Sequence, residues 1–108
     1  MDSGKAWTVL DRYGNEIYLT WERWEHIIEP DNHPEVERYF DYIAETIRLG
    51  RRQQDASDPS SYRYNRPYPD LPGYNSHLVV CARFRWQTDA DGTVREEKFV
   101  TTAYFQFF

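Results

Sequence analysis

The chain has 108 residues, a formal net charge of −5 and 18% aromatic residues, which is enough for one hydrophobic core burying roughly two-thirds of the unfolded surface. Four Trp, nine Tyr and six Phe offset a polar composition and argue against disorder. Cys81 is the single cysteine, so no disulfide forms within the chain. No leader opens it and no apolar run reaches the length of a membrane span, so one cytoplasmic domain over residues 1–108 with no membrane partner is expected.

Residues 6–19 alternate around Tyr13-Gly14-Asn15 and predict an N-terminal β-hairpin within residues 1–19. Thr20 is a good N-cap for a short helix over residues 21–29, with Trp21, Trp24 and Ile28 on one stripe. Pro30 helps to stop it. Asn32 or His33 caps a second helix, with Pro34 in its first turn, Glu35 and Glu37 near its positive end, and Gly50 closing it. Val36, Phe40, Ile43 and Ile47 form its apolar stripe. Residues 20–50 are thus the helical part, and residues 51–108 the sheet part.

Short strands are expected at residues 51–54 and 62–66, and a long one at residues 77–86. In the long strand Leu78, Val80, Ala82, Phe84 and Trp86 point one way and Val79, Cys81, Arg83 and Arg85 the other. Asp-Gly at residues 91–92 turns the chain into a last strand over residues 97–107. There Phe99, Thr101, Ala103, Phe105 and Phe107 share one face, opposite Val100, Thr102, Tyr104 and Gln106. Cys81, in an apolar run, reads as a small buried hydrophobe rather than a nucleophile.

Charge is segregated. Between Arg48 and Arg85 lie seven Arg against three Asp, which leaves −9 for the rest of the chain, and eleven of the thirteen basic residues are Arg. Arg suits bidentate capture of phosphate or carboxylate, although codon usage would give the same bias. With the apolar faces packed on the helices, the other faces bring Arg83, Arg85, Thr102 and Tyr104 onto an open surface. That surface reads either as a phosphodiester site or as an ordinary solvated sheet. His26 projects away from the first apolar stripe between Glu22 and Arg23, and a neutral imidazole there is fit for acid or base work near pH 7. His33 reads as a cap. His77 begins a strand, and three His without regular spacing give no zinc or iron pattern.

The order of these motifs resembles the phage-type nuclease domains grouped with barnase, EndoU, colicin nucleases and RelE. The resemblance rests on Leu19-Thr20-Trp21-Glu22-Arg23-Trp24-Glu25-His26-Ile27, His33-Pro34-Glu35, Arg51-Arg52, Tyr62-Arg63-Tyr64, Leu78-Val79-Val80 and Thr102-Ala103-Tyr104, and covers roughly residues 17–105. It implies an α+β fold with two N-terminal helices packed on one face of a roughly four-stranded antiparallel sheet, the N-terminal hairpin being an addition. It also implies a metal-independent endoribonuclease with no cofactor, of the kind found in toxins, phage and mobile elements. RNA, as tRNA or mRNA, would be the substrate, and a cognate inhibitor or immunity protein the other expected partner.

By the same resemblance His26 is the helix histidine acting as base or acid, Arg51 and Arg52 belong to the Arg-rich strand, and Tyr64 and Thr102 supply orienting hydroxyls. Arg83 stands where a Lys is common, and Arg63, Arg83, Arg85 and Tyr104 would contact substrate. The loop over residues 67–75 is longer than the family's usual connection, and the acidic charge departs from a free RNA-degrading enzyme. These departures keep open a catalytically inactive module of the same fold that binds a protein through its acidic helices and Tyr-rich loop. A DNA-binding regulator fits less well, since neither helix has a basic face.

Overall fold

The computed structural model describes residues 4–108. Strand β1 (Lys5–Leu10) turns into β2 (Glu16–Thr20), followed by helix α1 (Trp21–Ile27), a 3₁₀ segment (Pro34–Tyr39) and helix α2 (Phe40–Leu49). Four strands follow: β3 (Arg51–Gln54), β4 (Ser61–Pro67), β5 (His77–Thr88) and β6 (Val94–Gln106).

The expected four-stranded antiparallel sheet is not what forms. All six strands join one sheet in the order β1-β2-β6-β5-β4-β3, and the sheet is mixed. The N-terminal hairpin is part of it because β2 pairs in parallel with β6 at Tyr18 and Phe99. The other neighbours are antiparallel. The pairing is short because the chain leaves β2 at Thr20, whose side-chain oxygen accepts from the Arg23 N–H at 3.0 Å and caps α1. Helix α1 and the 3₁₀ segment then pack along β6 beyond the end of β2.

The helices cover one face of the sheet, here called inner. Ile27 rather than Ile28 is the fully buried residue of α1, with Trp24 beside it, because the helix ends two residues earlier than its apolar pattern predicts and Ile28 serves as its C-cap. Trp21 stacks flat on Phe40 at 5.6 Å and stays half-exposed. The second predicted helix is split. Its first six residues, Pro34–Tyr39, are 3₁₀, and only from Phe40 onward is it α-helical. Val36, Ile43 and Ile47 from these two pieces are fully buried, against Leu78, Val80, Ala82, Val100 and Ala103 of the sheet.

A bulge in the last strand changes which residues face the core. Cys81 is opposite Thr102 but Ala82 is opposite Val100, so Thr101 is an extra residue, and its hydroxyl donates to the Cys81 carbonyl. Before the bulge the alternation is reversed relative to the sequence expectation. Val100 enters the core at 1% exposure, and Phe99 comes to the outer face opposite Arg83 and next to Tyr18.

Gly50 joins α2 to β3 with a negative φ of −73°, so freedom of rotation is not what requires glycine there. Space is. A Cβ would lie 2.7 Å from the Asn65 carbonyl oxygen and would also strike the Thr46 carbonyl, both of them backbone groups that cannot swing away. Gly50→Ala is therefore expected to destabilise the protein by about 2–3 kcal/mol, read as a lower urea midpoint with an unchanged slope.

Candidate functional site

Strand alternation divides the predicted site residues between the two faces of the sheet. Arg51 and Arg52 are adjacent, so they point to opposite sides, and the register fixes which. Arg52 is opposite Tyr64 and Tyr64 opposite Val80, all on the inner face. Arg51 is opposite Asn65 and Arg63 opposite Cys81, which is opposite Thr102, all on the outer face.

On the inner side, Arg52 and Tyr64 belong to a buried clasp. Asp11, whose side chain has no exposure, accepts from the Tyr64 hydroxyl at 2.5 Å and from the N–H groups of Tyr13 and Asn15. The Arg52 guanidinium lies 3.9 Å from the same carboxylate and is stacked between the rings of Tyr13 and Tyr62, 4.4 and 4.5 Å from their centroids. Burial raises the pKa of Asp11, but the hydrogen bonds from Tyr64, Asn15 and Tyr13 outweigh it and hold the carboxyl below its ordinary value. Burial, and then the bond to Asp11, push the Tyr64 phenol far up. Neither residue reaches the outer surface.

The outer face is different. Arg63, Thr102 and Tyr104 lie around Cys81 on this face. Burial pushes the Cys81 thiol up, so it is protonated near neutrality. Gln53, Arg63, Asn65, Val79 and Tyr104 line a groove of about 260 Å³. Arg51, Arg63 and Arg85 have no carboxylate at ion-pair distance among the described residues. Arg85 lies over the Phe99 ring at 5.0 Å. Arg83 is on the same face, but its guanidinium is held at 3.0 Å by Asp58, whose carboxylate is kept ionised by the hydroxyls of Ser60 and Ser61. It ties the β3–β4 loop to β5.

His26 is exposed on α1, its Nδ1 2.6 Å from Glu29. It lies one turn beyond Glu22 and Arg23, which form a small cleft with Tyr18, Arg85 and Phe99 at the edge of the outer face. His33, expected as a cap, makes no side-chain cap bond. Its ring sits 5.7 Å from that of Tyr104, with Nδ1 3.1 Å from Glu35. The sequence reading missed it because its contact with β6 is long-range. The one local signal was Pro34, which holds His33 in a non-helical backbone at the mouth of the 3₁₀ segment.

No group of three or more His, Cys, Asp or Glu side chains is arranged to hold a metal ion among the described residues. Nor is any helix among them long and apolar enough to cross a membrane. No protein-family model matches the chain, and no match was found among curated proteins or solved structures.

The clasp makes stability depend on pH in a defined direction. Asp11 is more acidic folded than unfolded, so its contribution is complete above the unfolded value of about 4 and is lost as pH falls through the lower folded value. Asp11→Asn is expected to cost about 2–4 kcal/mol at pH 7. The difference from wild type should narrow steadily below about pH 4, as measured by chemical denaturation at several pH values.

Proposed function

We propose that the outer sheet face binds the ribose-phosphate backbone of single-stranded RNA, in tRNA or mRNA, and that the protein cleaves it by 2′-hydroxyl transesterification. The observation that carries this reading is the meeting of an unpaired arginine, two hydroxyls and an imidazole on one surface: Arg63, Thr102, Tyr104 and His33. The motif order that resembles the phage-type nucleases adds the expectation of such chemistry on that side of the sheet.

The reaction needs one base and one acid. A base takes the proton of the ribose 2′-hydroxyl, the oxygen attacks the neighbouring phosphorus, and the 5′-oxygen leaves with a proton from the acid, giving a 2′,3′-cyclic phosphate. His33 and His26 are the two imidazoles on the α1 side of the face, each with a carboxylate on Nδ1 that orients the ring. Arg63 lines the groove without a competing ion pair among the described residues and suits the charge that develops on the phosphate. Tyr104, beside the His33 ring, offers a stacking surface for a base. Arg52 and Tyr64 act from beneath by holding β3 and β4 in place.

The test is incubation of a labelled single-stranded RNA and total tRNA with purified protein in EDTA. Wild type is expected to yield cyclic-phosphate ends, with a loss of about 10²- to 10⁴-fold in His33→Ala or His26→Ala and about 10²-fold in Arg63→Ala. Salt-sensitive RNA binding without cleavage would remove the chemistry and leave the binding face. Absence of both would overturn the reading and leave the protein-binding module, which would act through the acidic helices and the Tyr-rich loop.

A further inference from the structure

A larger recess lies around the edge of the sheet, where the end of α2 meets β3, β4 and the start of β5. Its volume is about 750 Å³, within the range of small-ligand sites. Arg12, Arg51, Arg66 and His77 line it, with no acidic side chain among its lining residues. Arg12 and Arg51 are exposed and have no ion pair among the described residues, whereas Arg66 is shared with Glu45 at 3.7 Å. The carboxyl end of α2 borders the recess, but its roughly half negative charge is outweighed by the two unpaired guanidinium groups of Arg12 and Arg51.

The recess also has an aromatic wall. The rings of Phe108 and His77 stack at 4.2 Å with an interplanar angle of 28°. Ser76 holds both, since its Oγ is 2.7 Å from His77 Nδ1 and accepts from the Phe108 N–H at 3.0 Å. Phe108 remains 57% exposed, so ring surface is left for another planar group. Guanidinium groups matched to a phosphate, beside a fixed aromatic surface, form a complementary pair for a phosphorylated nucleoside.

We propose that this recess binds a nucleoside monophosphate, with Arg12 and Arg51 on the phosphate and the His77–Phe108 pair against the base. The ligand's source is either a free nucleotide or the phosphorylated end of an RNA strand. The second source is geometrically open, because Asn65 and Phe108 line both the recess and the outer-face groove. The recess does not rest on the cleavage reading, and a nucleotide titration reads it out whether or not RNA is cut.

The experiment is calorimetric titration of the whole protein with 5′-AMP, adenosine and a short RNA carrying either a 5′-phosphate or a 5′-hydroxyl. One AMP per chain is expected, bound at least about tenfold more tightly than adenosine. Arg12→Gln, in an exposed turn, and Phe108→Ala should each weaken it by about tenfold, while Arg95→Gln on the distal hairpin leaves it unchanged. Binding of the 5′-phosphorylated RNA but not of AMP or the 5′-hydroxyl RNA would support the site and identify the strand end as its source. Measurable binding of adenosine and AMP with equal affinity, an unchanged Arg12→Gln, or no binding by either AMP or phosphorylated RNA would each overturn it. Circular dichroism of each variant separates loss of the site from loss of the fold.

Discussion

One buried carboxylate connects the two ends of the sheet. Asp11 follows β1, the strand at one edge, yet it accepts from Tyr64 on β4 and lies beside Arg52 on β3, the strand at the other edge. Edges separated by four intervening strands can meet only if the sheet curls, and α2 fills the hollow, touching β1, β4 and β5. The curl is thus held from inside by apolar packing and across its opening by a charged hydrogen-bonded cluster. Removing Asp11 would leave the Tyr64 hydroxyl without its acceptor and the Arg52 guanidinium without its counter-charge in a partly dry site.

The clasp and the ion pairs sort the arginines of this net acidic chain into paired and unpaired sets. The clasp takes up Arg52, and loop or helix carboxylates take up Arg83 and Arg66. Arg51, Arg63 and Arg85 are left on the outer face without such partners among the described residues. Three unpaired guanidiniums on one surface bear more on recognition than the formal total does, because a ligand meets the local field and not the sum over the molecule.

Much of the architecture was legible in the chain, because local signals reported it. Thr20 marked the start of α1, Val36, Ile43 and Ile47 marked the buried stripe, and period-two alternation identified β5 and its outward Arg83 and Arg85. Non-local features were not legible. Nothing near Tyr18 announced that it would pair with Phe99, so the hairpin read as an addition to the sheet rather than part of it. The inward turn of Arg52 and Tyr64 depended on a partner, Asp11, more than forty positions from Tyr64. Within the candidate site, Thr102 and Tyr104 followed from strand phase and Arg63 only from the resemblance, whereas His33 was found only through its contact across to β6.

The bulge at Thr101 divides β6 into two stretches of opposite phase. Beyond it Ala103 and Phe105 face the helices while Thr102 and Tyr104 face outward, and before it the sense is inverted, with Val100 inward and Phe99 outward. A single extra residue therefore works as a parity switch between the stem of the molecule and its long β5–β6 arm. Without that residue Phe99 would point inward with Ala103 and Phe105 and Val100 outward, so the pairing of Phe99 with Arg83 on the outer face hangs on a single backbone position.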